Sequence, residues 1–331
     1  MGNISQKVLK KIKIGSVKIE NNFILAPMAG ISDQPFRILA KEGGAGIVYT
    51  EMVSAKALSY ADEKSKRLLA MKNSERPLAA QIFGADAESM SKAAKIVCSL
   101  GADIIDINLG CPVKKIAKSG AGAKLLANKE LIERILTAVI ESVNIPVTVK
   151  IRLGLAKGQN IAPEIVEIAQ NCGIKMIAIH ARYAEQGHNG EVDLKGFSDS
   201  CRNAKIPIFA NGGIVDEKSA ESFLNIENCS GLMIGRGAIA NFSIFNDLKE
   251  YFENGRALIL PTLAIRINWF KRYFEESARY YGEKRALTLM RKTAGYYIKD
   301  LPDAAKIRDA FNKIESIKEF SAIIKEMTIN Q

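Results

Sequence analysis

Residues that commonly carry chemistry are scarce in this chain of 331 residues, which has two histidines, one tryptophan and five cysteines. The cysteines (Cys98, Cys111, Cys172, Cys201, Cys229) are odd in number and widely spaced, with no Cys-x-x-Cys pair. That pattern speaks against a disulfide framework and a structural zinc site, so no metal is expected. No apolar run approaches the roughly eighteen residues that a membrane span needs. Residues 1–13 hold no apolar stretch with a small-residue cleavage site, so a cytoplasmic protein without membrane association is expected. A Gly-x-Gly-x-x-Gly after the first candidate strand is missing, which argues against a dinucleotide-binding Rossmann unit. Low-complexity segments and recognisable repeats are missing too, and nothing calls for an obligate protein partner.

What is present is an ordinary globular composition, 47% apolar and 25% charged, enough for one large core and a smaller second one. Lysine and arginine outnumber aspartate and glutamate by 47 to 36, a net charge of +11. A basic surface gathers phosphates through long-range attraction and counterion release, so a polyanion is the partner this balance favours.

Short runs rich in Val, Ile and Ala alternate with helical periodicity. Eight candidate strands cover 23–26, 46–49, 78–82, 104–108, 147–151, 176–180, 208–210 and 231–234. Between them, residues 35–42, 87–100, 129–143, 163–171 and 217–224 place apolar side chains three and four apart. Eight β/α units over about 220 residues predict an α/β fold, a (β/α)8 TIM barrel, in preference to an open doubly wound sheet. Ahead of them, residues 12–19 with Gly15 at the middle predict a hairpin at the barrel floor. After Ala240 strand signals fade, which predicts a catalytic barrel over residues 1–243 and a smaller all-helical domain over 244–331. That tail carries 16 Lys/Arg against 12 Asp/Glu over residues 242–331. Its cations, Arg285 and Lys284 among them, read equally as a nucleic-acid face or as the solvated sides of helices.

In such a barrel the active site lies at the C-terminal strand ends. The residues there are Pro27-Met28-Ala29-Gly30, Thr50-Glu51, Gln81, Asn108 with Cys111, Lys150 with Arg152, His180 with Arg182, Asn211-Gly212-Gly213 and Gly235-Arg236-Gly237. Small residues after the last two strands let backbone N–H groups approach a phosphate, and Arg236 offers a bidentate partner. A phosphate joined to a planar ring system, as in FMN, would also use Gln81 and Lys150, the lysine stabilising a reduced flavin anion. Gly110 and Pro112 bracket Cys111 on a bent loop above the sheet. An ordinary thiol, with a pKa of about 8.5, is mostly protonated at neutral pH and able to donate a proton. The other four cysteines read as small buried hydrophobes, and His188 reads as a loop residue.

Together these residues resemble the bacterial tRNA-dihydrouridine synthase family, nearest its B-type branch. The resemblance rests on Leu25-Ala26-Pro27-Met28-Ala29-Gly30, Gln81-Ile82-Phe83-Gly84, Asp106-Ile107-Asn108-Leu109-Gly110-Cys111-Pro112, Val149-Lys150-Ile151-Arg152-Leu153-Gly154, His180-Ala181-Arg182, Asn211-Gly212 and Gly235-Arg236-Gly237. It implies an FMN-bearing barrel, NADPH (or NADH) as reductant, and a helical domain that helps grip tRNA. Hydride would pass from flavin N5 to C6 of an extruded uridine, and Cys111 would protonate C5. By the same resemblance Pro27, Met28, Ala29, Gln81, Lys150, His180, Asn211, Gly212, Gly213, Gly235 and Arg236 bind the cofactor, and Asn108, Arg152 and Arg182 the substrate. The chain departs from the family at Gly213, where an Asp is usual, at Ala184, where a second Arg is usual, and at His188, where a Tyr often stands. Alternative readings stay open here: an FMN enzyme acting on a free pyrimidine, of dihydroorotate or dihydropyrimidine dehydrogenase type, the same reduction on ribosomal RNA, or an RNA-binding barrel without turnover.

Overall fold

The computed structural model describes residues 11–60, 62–299 and 301–329. The first ten residues, where no leader pattern is read, lie outside them. In chain order the strands are β1 (Ile12–Ile14), β2 (Val17–Ile19), β3 (Phe23–Leu25), β4 (Val48–Tyr49), β5 (Val53–Ser54), β6 (Leu78–Phe83), β7 (Ile104–Asn108), β8 (Val147–Arg152), β9 (Ile177–His180), β10 (Ile208–Asn211) and β11 (Cys229–Ile234). The helices are α1 (Gln34–Glu42), α2 (Ala55–Ser59), α3 (Glu63–Leu68), α4 (Ala87–Ser99), α5 (Lys114–Lys118), α6 (Lys129–Ser142), α7 (Ala162–Cys172), α8 (Leu194–Cys201), α9 (Glu217–Leu224), α10 (Ile244–Asn254), α11 (Leu263–Tyr281), α12 (Glu283–Tyr297), α13 (Ala304–Lys313) and α14 (Ile317–Ile329).

Parallel pairing runs β3-β11-β10-β9-β8-β7-β6-β4. The ring closes where Gly46 N–H donates to Phe23 O at 2.7 Å and Leu25 N–H to Ile47 O at 2.9 Å. Eight strands therefore form a closed barrel, as the alternation predicts. Residues 46–47 spend their backbone bonds on β3, which leaves β4 only two residues long. The two-residue β5, paired to the end of β6, has no counterpart among the predicted strands.

Two apolar clusters follow from the two-residue period of a strand. One set of side chains faces the helices and builds the large core. The other faces inward, where Ile24, Ala79, Ile104, Met176 and Phe209 fill the lower barrel with Ile14 and Ile19 of the hairpin. The hairpin thus plugs the floor. Its turn needs Gly15, at φ +58°, where a Cβ would lie 2.7 Å from the Pro146 ring.

Helix starts follow local chemistry: Asp33, Asp86, Asn128, Asp193 and Asp216 each accept a backbone N–H from the first turn of the helix they precede. Helix α10 packs on the barrel, with Phe252 6.0 Å from Phe23 between ring centroids and the Tyr251 hydroxyl donating to Glu221. It is the helix that follows β11. We propose that the domain junction lies within residues 255–262, between α10 and α11.

Candidate active site

Inward-facing residues change from apolar to polar toward the C-terminal strand ends. Register brings Asn108 beside Lys150, Arg152 beside His180, and His180 beside Asn211. Below Asn108 a directed chain of hydrogen bonds crosses three strands. Thr148 Oγ1 donates to Asp106 Oδ1 at 2.6 Å and Gln81 Nε2 to Asp106 Oδ2 at 2.7 Å. Asn108 Nδ2 then donates to Gln81 Oε1 at 2.8 Å. Asn108 Oδ1 in turn accepts Cys111 N–H at 2.9 Å and Gly110 N–H at 3.1 Å. A carboxylate only accepts, so Asp106 sets which way the Gln81 amide points, Gln81 sets Asn108, and Asn108 holds the cysteine loop. Burial pushes the Asp106 carboxyl up to about 6, while the bonds from Thr148 and Gln81 and the Lys150 charge pull it down. Asp106 and Thr148 are site residues that the strand-end rule does not reach. Their signal was period-two spacing, two positions before Asn108 and Lys150.

Cys111 is half-buried on a loop without regular structure, and its carbonyl accepts Ala123 N–H at 3.0 Å. Arg152, expected on the substrate, is 1% exposed and braces this loop from below. Its Nε donates to Gly110 O at 2.8 Å and Nη1 to Tyr183 O at 3.1 Å. Gln81, also 1% exposed, spends one amide N–H in the chain just described.

Across the mouth, Lys150 Nζ donates to Asn211 Oδ1 at 2.8 Å, and Asn211 Nδ2 to Met233 O at 2.7 Å. Arg182 donates from Nε and Nη2 to Gly190 O, and its Nη1 lies 3.1 Å from His180 Nε2. His188 joins this group. Its ring stacks on His180 at 5.8 Å and its carbonyl accepts Arg236 Nη2 at 2.9 Å, so it is part of the mouth where sequence suggested only a loop residue. Gly212, at φ +115°, makes the crowding possible, since a Cβ there would lie 2.7 Å from His180 Cδ2. A Cβ on Gly213, at φ +71°, would lie 3.6 Å from Val192 Cγ1 and 3.7 Å from Arg182 Nη2, in ordinary contact with both. On the far side, a Cβ on Gly235 would sit 3.5 Å from Met28 Sδ, which places the Pro27-Met28-Ala29 run beside Gly235-Arg236.

Among the described residues no carboxylate forms an ion pair with Lys150, Arg152, Arg182 or Arg236. The excess positive charge registers in the titrating groups. Burial and then Arg152 hold Lys150 down to about 7. Burial, Lys150 and the arginines hold His180 well below its ordinary value and His188 down to about 4. A lining in which Gly212, Gly213 and Gly235 carry no side chain, and Arg236 and Lys150 form no carboxylate ion pair among the described residues, fits a phosphate-bearing planar cofactor.

A family model for dihydrouridine synthase matches residues 24–331. The chain belongs to the dihydrouridine synthase family. Relatives within this dihydrouridine synthase family include tRNA-dihydrouridine synthase B of Pasteurella multocida, 37% identical over 308 residues, covering 93% of each chain. The probable tRNA-dihydrouridine synthase of Rickettsia conorii is 33% identical over 323 residues, covering 95% of this chain and 98% of its own. Among solved structures, a 2-naphthoyl-CoA reductase complex superposes with TM-score 0.57 at 14% identity, covering 74% of this chain and 52% of its own. A histamine dehydrogenase from Rhizobium sp. 4-9 gives 0.58 at 14% identity, covering 83% and 51%. This chain spans about half the length of those two, and the likeness is one of fold.

Proposed function

We propose that this chain is a flavin-dependent oxidoreductase that reduces the C5–C6 double bond of uridines in tRNA to dihydrouridine, with FMN as the flavin and NADPH as the reductant. The observation that carries this reading is the mouth itself: a cysteine on a loop held by Asn108, beside a cluster of cations that form no ion pair with a carboxylate among the described residues. When bound, FMN supplies the electrons for the reduction and is itself re-reduced by NADPH.

The protein's own residues do the rest. Gly212, Gly213, Gly235 and Arg236 hold the phosphate, with Pro27, Met28 and Ala29 along the ring on the β3 side. Lys150, Asn211, His180 and Gln81 meet its polar edge. An anionic ligand beside Lys150 restores the ammonium that burial and Arg152 disfavour in its absence. Asn108 and Arg182 face the uracil, while Arg152 serves it indirectly by bracing the loop. Cys111 gives its thiol proton to C5 of the ring, and the resulting thiolate is reprotonated from solvent.

An unmodified tRNA transcript incubated with the protein, FMN and NADPH is expected to gain dihydrouridine, mapped by nucleotide. Cys111→Ala is expected to retain flavin and lose at least ~100-fold in turnover, the usual contribution of a positioned acid. Full activity of the Ala variant would remove the proton-donor assignment. Reduction of free uracil or orotate without action on tRNA would overturn the substrate.

A further inference from the structure

Where the barrel meets the helical domain lies a cavity of about 280 Å³ lined by Arg67, Leu68, Tyr281 and Arg285. Arg67 and Leu68 come from α3 on the barrel side. Tyr281 ends α11 and Arg285 lies in the first turns of α12. The two sides are joined at this point, since the Tyr280 hydroxyl donates to Arg67 O at 3.2 Å. The Arg285 guanidinium lies over the Tyr281 ring, 4.6 Å from its centroid. Among the described residues neither Arg67 nor Arg285 forms an ion pair with a carboxylate. Two cations from different domains thus face one cavity, one of them held flat by an aromatic ring so that its N–H edge stays available.

The cavity also adjoins the catalytic rim. Tyr273 of the same helix donates its hydroxyl to Asp33 Oδ1 at 3.3 Å, and the Tyr281 phenol is raised by burial and then by the charges of Asp33 and Glu51. These two acids belong to the loops that leave β3 and β4, and Glu51 accepts Gly30 N–H. Their charge is spent locally: burial lifts Asp33 to about 7, where it is partly neutral. A volume near 280 Å³ suits a phosphodiester with part of its sugar, and is small for a drug-sized ligand.

We infer that the Arg67–Tyr281–Arg285 cavity binds one backbone phosphate of the substrate RNA, outside the pocket of the reacting uridine, and so ties barrel and helical domain to the same strand. Paired guanidinium forks match a phosphate's oxygens, and Tyr281 pre-orients one of them. The inference rests on the proposed action on tRNA.

The test is equilibrium binding of an unmodified tRNA transcript to the flavin-loaded full chain across a salt series. Arg67→Gln/Arg285→Gln is expected to bind about tenfold more weakly at low salt, with the slope of log K against log salt shallower by about one. Its KM for tRNA rises with its Kd. Tyr281→Ala is expected to reproduce part of the loss and Tyr281→Phe to restore binding. Should the double variant fail to fold, the single Gln variants carry the same reading at about threefold each, half the tenfold loss on a logarithmic scale. Wild-type affinity and slope in folded variants, with the wild type still modifying tRNA, would overturn the phosphate site and leave the proposed function standing. A wild type that holds flavin but neither binds nor modifies tRNA would overturn both.

Discussion

Asp106 illustrates how a single side chain sets the orientation of a site it does not line. Both of its oxygens accept, so the amides of Gln81 and Asn108 have only one satisfied orientation. Asp106→Asn introduces a donor into that chain and is expected to lower dihydrouridine turnover by roughly ten- to a hundredfold, the equivalent of losing 1–3 kcal/mol of hydrogen bonding. Alkylation of Cys111, followed by peptide mass spectrometry, is expected to change rate in the same variant. The exchange Asp106→Asn/Gln81→Glu puts an acceptor back beneath Asn108 and is expected to recover part of both. With its carboxyl raised to about 6, Asp106 accepts from both partners only above that pH, so turnover is expected to fall as pH drops through 6. Lys150 supplies a second pH dependence. In the ligand-free protein its proton is lost above about 7, and an anion binds the protonated form. FMN affinity is therefore expected to fall, by up to tenfold per unit, as pH rises from 7 to 9. That window lies above the phosphate's own titration near 6. The two mouth histidines are already neutral there. Titration calorimetry reads the trend, and Lys150→Met is expected to flatten it.

At the scale of elements, α1 is joined to the loop before β6 by a buried ion pair, Arg37 Nε to Glu75 Oε1 at 2.7 Å, both side chains 1% exposed or less. Arg37 also donates to Ser32 O and Ala70 O, so all of its reach is used. Arg37→Met leaves the Glu75 carboxylate buried without its cation, a loss of about 3–5 kcal/mol. Chemical denaturation is expected to show it as a lower midpoint. The charge pattern of α1 is visible in sequence, but its partner is not, because Glu75 is 38 residues away on a short turn with no periodic signal.

At the scale of the molecule, barrel and helical domain share one apolar core. Phe36 lies 4.7 Å from Phe242 and 5.9 Å from Tyr273, and Trp269 packs edge-on to Phe242 at 5.2 Å. Arg272 pairs with Glu42 at the rim of the seam. Between the domains Ile259 and Leu260 are 79% and 71% exposed. Limited proteolysis is therefore expected to cut first within residues 255–262. The two fragments are expected to co-elute in gel filtration, because the aromatic seam needs no covalent link. Separation of the fragments would show the seam too weak to hold the tail in place.

Much of this was legible in the amino-acid order. Strand count, barrel class, the floor hairpin and the strand-end residues all follow from local rules, since side-chain period and turn chemistry act over a few positions. The tertiary structure decided what depends on registering distant strands. It joined Arg152 to the carbonyl of Gly110 in the cysteine loop and brought His188 onto His180. It attached α10 to the barrel and linked Thr148, Asp106 and Gln81 into one directed chain. Those contacts join residues from different β/α units, and only closure of the ring sets which inward-facing side chains meet.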